Sequence, residues 1–324
     1  MFVLDSHCDT PTQVFRGRDL AKDNDNAHVD FPKLRRGGVD GAFFALYIPA
    51  DLEGDKAYEH AEKLYECVKD TLAANREKAA LAVTEKQAYE NKANGLFSVF
   101  LGLENGSAVG NSLERLHEFY DKGVRYMTLC HTRDNQICDS CASDVKTWYG
   151  LSPFGREVIA EMNRIGMLVD VSHISDEAFY DVLKYSTRPV VASHSCCRAL
   201  AGHQRNMTDD MIRALADKGG VIQVNFYPVF LDGSFTEPYP ENRPSYRMIA
   251  DHIDHVVKIA GIDHVGIGTD FDGIDFTPEG LEDISMMPVL FNELRERGYS
   301  EDDLEKIASR NFFSVFSCAG EERS

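Results

Sequence analysis

The chain repeats one pattern. A short run of apolar, often β-branched or aromatic residues is followed by a longer stretch in which apolar positions recur every three or four residues. The short runs are FVLDSH (2–7), GAFFALYI (41–48), LFSVFLGL (96–103), YMTLCH (126–131), MLVDVSH (167–173), PVVASHS (189–195), GVIQVNFY (220–227) and HVGIGTD (264–270). Such runs predict strands of a parallel sheet buried on both faces. The amphipathic stretches predict helices over 55–78, 112–122, 153–165, 176–185, 208–218 and 246–260. Two more are expected near 279–297 and 301–316, after the last strand. Ser175 before Asp176-Glu177, and Thr208 before Asp209-Asp210, are helix starts. The alternation has no linker or low-complexity break. It predicts α/β architecture: a (β/α)8 TIM-like barrel, one domain over 1–324, with C-terminal helices. An open doubly wound sheet is the alternative, although no G-x-G-x-x-G or Walker motif supports nucleotide binding.

In such a barrel the C-terminal strand ends surround one pocket, so polar residues there are the candidates for chemistry. The first run ends Asp5-Ser6-His7-Cys8-Asp9. Residues two apart on a strand share a face, so His7 and Asp9 point together and Cys8 away. Later runs end at Glu104, His131, His173 and His194, and the last at Asp270 and Asp272. One histidine at a strand end commonly caps or packs. Four of the eleven histidines at equivalent ends, with carboxylates beside them, point to metal. That inventory exceeds the three protein ligands of one catalytic Zn²⁺. It suits two metals about 3.5–4 Å apart, bridged by a carboxylate and water. Nitrogen-rich ligation favours Zn²⁺ over Mg²⁺ or Ca²⁺, with Mn²⁺, Fe²⁺ and Co²⁺ still open.

Composition narrows the partners. The 324 residues are 43% hydrophobic and 27% charged, ample for a large core. A net charge of −19 argues against nucleic acid or an anionic membrane as partner. No run reaches membrane-span length, no secretory signal is visible, and the polar ending CAGEERS carries no anchor signal. The eight cysteines read as reduced thiols, as in a cytoplasmic protein. Cys138 and Cys141 have C-x-x-C spacing, but no second pair stands at zinc-finger distance. Cys196 and Cys197 are expected to pack.

The motifs together resemble the membrane dipeptidase (renal dipeptidase) family of zinc metallopeptidases in the amidohydrolase-like superfamily, especially its soluble bacterial members. The resemblance runs nearly end to end. It is carried by DSHCDT (5–10), GLENG (102–106), GVRYMTLCHTRDN (123–135), GLSPFGREVIAEMNRIGMLVDVSH (150–173) and SHS (193–195). It continues through RNMTDD (205–210), GGVIQVNFY (219–227), GIGTDFDG (266–273) and PEGLEDIS (278–285).

This resemblance implies a zinc-dependent dipeptidase with two Zn²⁺ per chain. His7 and Asp9 would hold one, His173 and His194 the other, and Glu104 would bridge both. It implies that His131, not a ligand, polarises the scissile carbonyl. Arg205 would grip the substrate carboxylate and Tyr227 would contact substrate. Asp270 would orient a metal-bridging hydroxide and shuttle its proton. A homodimer is what the family suggests, and a D-residue at the C-terminal position of the dipeptide is open. Asp272 is read as a turn residue before Gly273, and Asp5 as a partner of the ligands. Two features depart from the family pattern: Thr132 replaces the usual Asn after His131, and the loop 133–148 is unfamiliar. Two alternatives stand beside this reading. One is a non-peptide amidohydrolase acting on a cyclic amide, lactone or phosphoester, against which Arg205 and the whole-chain resemblance weigh. The other is a non-catalytic metal-binding protein, against which His131 and Asp270 weigh.

Overall fold

A computed structural model describes residues 1–235 and 242–320; the tail from residue 321, part of the polar ending, lies outside the described residues. The apolar runs form strands of one parallel sheet: β1 (Leu4–Cys8), β2 (Gly41–Tyr47), β3 (Ala79–Leu81), β4 (Phe97–Glu104), β5 (Val124–Thr128), β6 (Leu168–Asp170), β7 (Val191–Ser195), β8 (Val221–Val224) and β9 (Val265–Ile267). The order is β1-β2-β4-β5-β6-β7-β8-β9, with β3 paired to β4 off that path. The ends of the sheet meet through a Cys8–Phe271 bridge. Its hydrogen bonds run from Asp9 N–H to the Phe271 carbonyl at 2.9 Å and from Asp270 N–H to the His7 carbonyl at 3.0 Å. The result is a nearly closed eight-strand (β/α) barrel of the TIM type, as the alternation predicts. The three-residue β3 is not foreshadowed, because its Ala-Ala-Leu has no β-branched or aromatic residue and Leu81 is exposed.

Several helices fall where the periodicity puts them, notably Pro153–Ile165 and Asp176–Tyr185. Ser152, Ser175 and Thr208 accept from the N–H groups of Gly155, Ala178 and Met211, which supplies partners for otherwise orphaned first-turn donors. Gly166, at φ 84°, takes the left-handed cap that ends the first of these. The helix expected over 279–297 forms only as Met287–Glu296, after a tight turn at Ile284–Met286. Pro278 and Gly280, at φ 82°, keep the preceding segment irregular. Thr10–Phe15 and Phe31–Gly37 are helices too short to show a repeating apolar stripe, and Glu85–Ala93, EKQAYENKA, is too polar to carry one.

The site's position follows from how the opposite end is filled. Leu4, Phe43, Phe100, Tyr126, Leu168, Val191 and Val221 come from seven strands into one apolar cluster with Phe312, Phe313 and Phe316. Phe43 stacks on Phe100 at 4.8 Å and on Tyr126 at 5.0 Å. The last three aromatics belong to the helix Asn311–Gly320, whose Asn311 donates to the carbonyls of Ile262 and Val265 at the start of β9. This helix plugs the N-terminal end of the barrel and leaves the C-terminal end open. Among the described residues no helix is long and apolar enough to cross a membrane.

His252, on the outer helix Arg247–Ala260, gives the fold a pH dependence. It is fully buried; its Nδ1 accepts from Cys197 N–H and its Nε2 donates to the Leu231 carbonyl, both at 3.0 Å. Burial lowers its pKa to about 4. The neutral ring is therefore favoured by folding: its contribution is complete above about pH 6.5 and is lost as pH falls from there toward 4. Stability should drop by about 1.4 kcal/mol per pH unit in that window from this group. Denaturant titrations of the wild type and His252→Gln across pH 4–7 should show the variant's slope reduced by that amount.

Candidate metal centre

Seven polar side chains converge at the open end. His7 and His194 lie within β1 and β7, Glu104 ends β4, and Asp9 follows β1. His131, His173 and Asp270 sit three residues beyond β5, β6 and β9, not on the strands as the apolar runs suggest. For the last two the reason is conformational. His173 and Asp270 have φ of 72° and 63°, outside the β region, so the chain turns before reaching them. Of the five non-glycine residues with positive φ among the described residues, Asn105, His173, Asp270 and Asp272 are in or beside this cluster. Strained backbone of this kind concentrates at functional sites.

Glu104 is the hub. Its Oε2 is 3.5 Å from His7 Nε2, while its Oε1 is 3.2 Å from His173 Nε2 and 3.5 Å from His194 Nε2. His7 Nε2 is also 3.5 Å from Asp9 Oδ2. His131 Nε2 lies farther out, 3.8 Å from Glu104 Oε1. Three groups of donor atoms are close enough to share an ion: His7, Asp9 and Glu104; Glu104, His173 and His194; and His7, His194 and Asp270. His131 belongs to none of them among the described residues.

The donor set fits metal ions. His7 Nε2 is buried without a hydrogen-bond partner, and the Nε2 atoms of His173 and His194 face each other at 2.9 Å. A buried polar atom left unpaired costs about 1–3 kcal/mol, so several aimed at one space call for a cation. Without one, burial opposes charge on every group and the carboxylates decide who bears it. Burial resists the ionised form of Glu104, but His7, His173 and His194 hold it well below the usual carboxyl range. Burial resists protonation of His7, yet Glu104 and Asp9 raise it well above normal. Burial lowers His173 and His194 well below the usual imidazole range and raises Asp9 and Asp270. His131 is lowered mainly by burial.

Neighbours aim these groups. His7 Nδ1 is 2.7 Å from the Tyr126 hydroxyl, and His194 Nδ1 is 2.7 Å from Ser193 Oγ. Asn225 donates to Asp270 Oδ2 at 2.8 Å. Tyr126, Ser193 and Asn225 are not among the sequence candidates. Asn225 follows β8 directly, so the strand-end rule that found the others could have found it. Gly102 makes room for Tyr126: a Cβ there would stand 2.3 Å from the ring. Asp5 bonds the His7 N–H and both polar groups of Thr269, tying β1 to the segment after β9. Burial raises its pKa to about 6. Asp272 turns away from the cluster to accept from Arg18 at 2.6 Å and Thr10 at 2.9 Å.

The loop 133–148 supports the histidines. Ser140 Oγ donates to the His131 carbonyl, and Cys141 N–H donates to that of His173. Cys138 and Cys141 are free thiols, and no cysteine joins the ion-sharing groups among the described residues. Arg205 is buried beside the cluster, its Nη1 on Ser195 Oγ and its Nη2 on the His194 carbonyl, each at 2.8 Å. Its Nε is buried and unpartnered. A cavity of about 580 Å³ opens over the centre, lined in part by Tyr47, His131, Thr132, Tyr227, Phe230 and Asp270.

The family model described as membrane dipeptidase (peptidase family M19) matches residues 1–323. An uncharacterized dipeptidase of Schizosaccharomyces pombe is 34% identical over 334 residues, covering 97% of this chain and 80% of its own. A dipeptidase of Clonostachys rogersoniana is 33% identical over 305 residues, 91% of this chain and 76% of its own. Among solved structures, the metallo peptidase named dipeptidase AC superposes with TM-score 0.92 at 27% identity, covering 99% of each chain. A Rhodobacter sphaeroides metallo peptidase, liganded with a phosphinate mimic of the dipeptide L-Ala-D-Ala, superposes with TM-score 0.90 at 26% identity. It is covered over 99% of its length and 98% of this chain.

Gly273 is a sharp test of the centre. A Cβ there would stand 2.1 Å from Asp9 Oδ2 and 2.8 Å from Asp270 Oδ1. Gly273→Ala should push the Asp9 carboxylate off the cluster and weaken metal binding by about 10–100-fold, the size of effect seen when a ligand's support is lost. Zn²⁺ titration against a competing chelator would measure it; wild-type affinity would mean that Asp9 keeps its place.

Proposed function

The chain belongs to the membrane dipeptidase family, and we propose that it works with two zinc ions, His7 and Asp9 on one, His173 and His194 on the other, and Glu104 across both. Metallo-dipeptidase is its class. The observation that carries the two-metal reading is the division of Glu104, one oxygen toward His7 and the other toward His173 and His194. Zinc is favoured over Mg²⁺ or Ca²⁺ by the nitrogen-rich donors. Such ions, when bound, polarise a carbonyl and lower the pKa of water from about 15.7 to about 7.

The protein's own groups do the rest. His131, lowered by burial and outside the ion-sharing groups, is placed to donate a hydrogen bond to the oxygen of the scissile carbonyl as negative charge develops there. Asp270, oriented by Asn225, takes the proton of the attacking water and returns it to the leaving amine. Arg205, with a free buried Nε, binds the substrate's terminal carboxylate by charge-assisted hydrogen bonds. Tyr227 and Phe230 line the cavity around that end. A carboxylate anchor favours dipeptides over longer chains, because the second residue must carry the free end. Acceptance of a D-residue there is part of the proposal, supported by the L-Ala-D-Ala mimic on the Rhodobacter relative. A cytoplasmic homodimer completes it, on the family resemblance.

Three variants test these assignments. Glu104→Ala should lose both metals or keep one weakly, read by elemental analysis; two tightly held ions would sink the bridge. His131→Ala should keep its metals while kcat falls by about 10²–10³-fold, as for loss of one oxyanion donor. Arg205→Ala should lower kcat/KM by about 10–150-fold, since a charged hydrogen bond is worth roughly 1.5–3 kcal/mol. The wild type should reject a C-terminally amidated dipeptide and Arg205→Ala should discriminate much less. A folded, metal-loaded variant with full preference for the free acid would leave Arg205 a purely structural residue.

A further inference from the structure

Thr128, Asp170 and Ser193 lie on the adjacent strands β5, β6 and β7, all fully buried. Asp170 accepts four hydrogen bonds. Its Oδ1 takes the backbone N–H groups of Ser172 at 3.0 Å and Ser193 at 2.8 Å. Its Oδ2 takes the hydroxyls of Thr128 at 2.5 Å and Ser193 at 2.6 Å. A serine hydroxyl has one hydrogen to give, and here Asp170 receives it. Across the 2.7 Å contact with His194 Nδ1, Ser193 Oγ can then only accept. The ring hydrogen must sit on Nδ1, which leaves the Nε2 lone pair facing Glu104 and His173. The Ser172 hydroxyl, 3.5 Å from Ser193 Oγ, is too distant to compete.

We propose that Asp170 is a positioning residue that acts through Ser193, setting the tautomer of His194 so that Nε2 is presented as a metal donor. The idea rests on the two-metal reading only for its consequence; the tautomer itself can be observed without metal. Ligating histidines generally donate their other ring hydrogen to such a partner, and losing the partner costs about 10–100-fold in metal affinity. The relay also makes a prediction that simple loss of packing does not. In Asp170→Asn the two backbone donors keep the amide oxygen at the Oδ1 position, so the NH2 group takes the Oδ2 position. It donates to Ser193 Oγ, whose own hydrogen must then turn to His194 Nδ1. The ring hydrogen moves to Nε2, where it blocks the metal.

Zn²⁺ affinity by chelator competition, and histidine tautomers by nitrogen NMR on the chelator-treated protein, test the proposal together. Ser193→Ala should bind Zn²⁺ about 10–100-fold more weakly. Asp170→Asn should lose more than that and show His194 protonated at Nε2. The double variant should return to the Ser193→Ala level, because without the hydroxyl the amide has no route to His194. Wild-type affinity in Ser193→Ala, strictly additive losses in the double variant, or an Nε2–H tautomer in the metal-free wild type would overturn it. If Asp170→Asn does not fold, Ser193→Ala and the wild-type tautomer still decide. If the protein binds fewer than two metals, the two-metal reading fails while the tautomer result stands separately.

Discussion

One buried carboxylate, Glu104, sets the terms for the open end of this barrel. Four imidazoles crowd within 3.8 Å of its oxygens, and Glu104, His7 and His194 are buried. A charge in such a place is tolerable only if it is paired and hydrogen-bonded. Histidines alone meet that demand poorly, because each bond to Glu104 needs a hydrogen on Nε2, and at His194 the accepting Ser193 Oγ keeps the ring hydrogen on Nδ1 instead. Cations in the same space satisfy carboxylates and imidazoles at once. The centre is therefore unfavourable as a purely protein structure and favourable as a metal-holding one.

The rest of the molecule keeps that cluster from relaxing. The aromatic layer of Phe43, Phe100 and Tyr126, plugged from below by the helix Asn311–Gly320, is packed too closely for the strands to shift. Tyr126 belongs to both worlds, its ring in the apolar layer and its hydroxyl on His7. Gly102 and Gly273 matter for what they lack, since a Cβ at either would drive into Tyr126 or Asp9. The positive φ values at His173 and Asp270 show where the backbone bends against its preference to bring side chains inward.

The division between sequence and tertiary structure follows the same physics. Alternating apolar runs and amphipathic stretches made the barrel legible, because period and run length report local burial directly. The strand-end rule picked out His7, Asp9, Glu104, His131, His173, His194 and Asp270 as one set, and the fold does bring them together. Arg205 rested on family resemblance, and the fold places it in contact with His194 and Ser195. Strand lengths were overread at His131, His173 and Asp270; at the last two, an apolar run does not reveal where φ turns positive. The strand at Ala79–Leu81 carried no periodic signal at all. What only the tertiary structure decided is which atom faces which: the split of Glu104 between two histidine sets, and the contacts of Tyr126 with His7 and of Asp170 with Ser193. Those pairs are 119 and 23 residues apart in the chain. Their distance in space depends on the register of neighbouring strands, set by packing across the whole barrel and not by any local stretch of sequence.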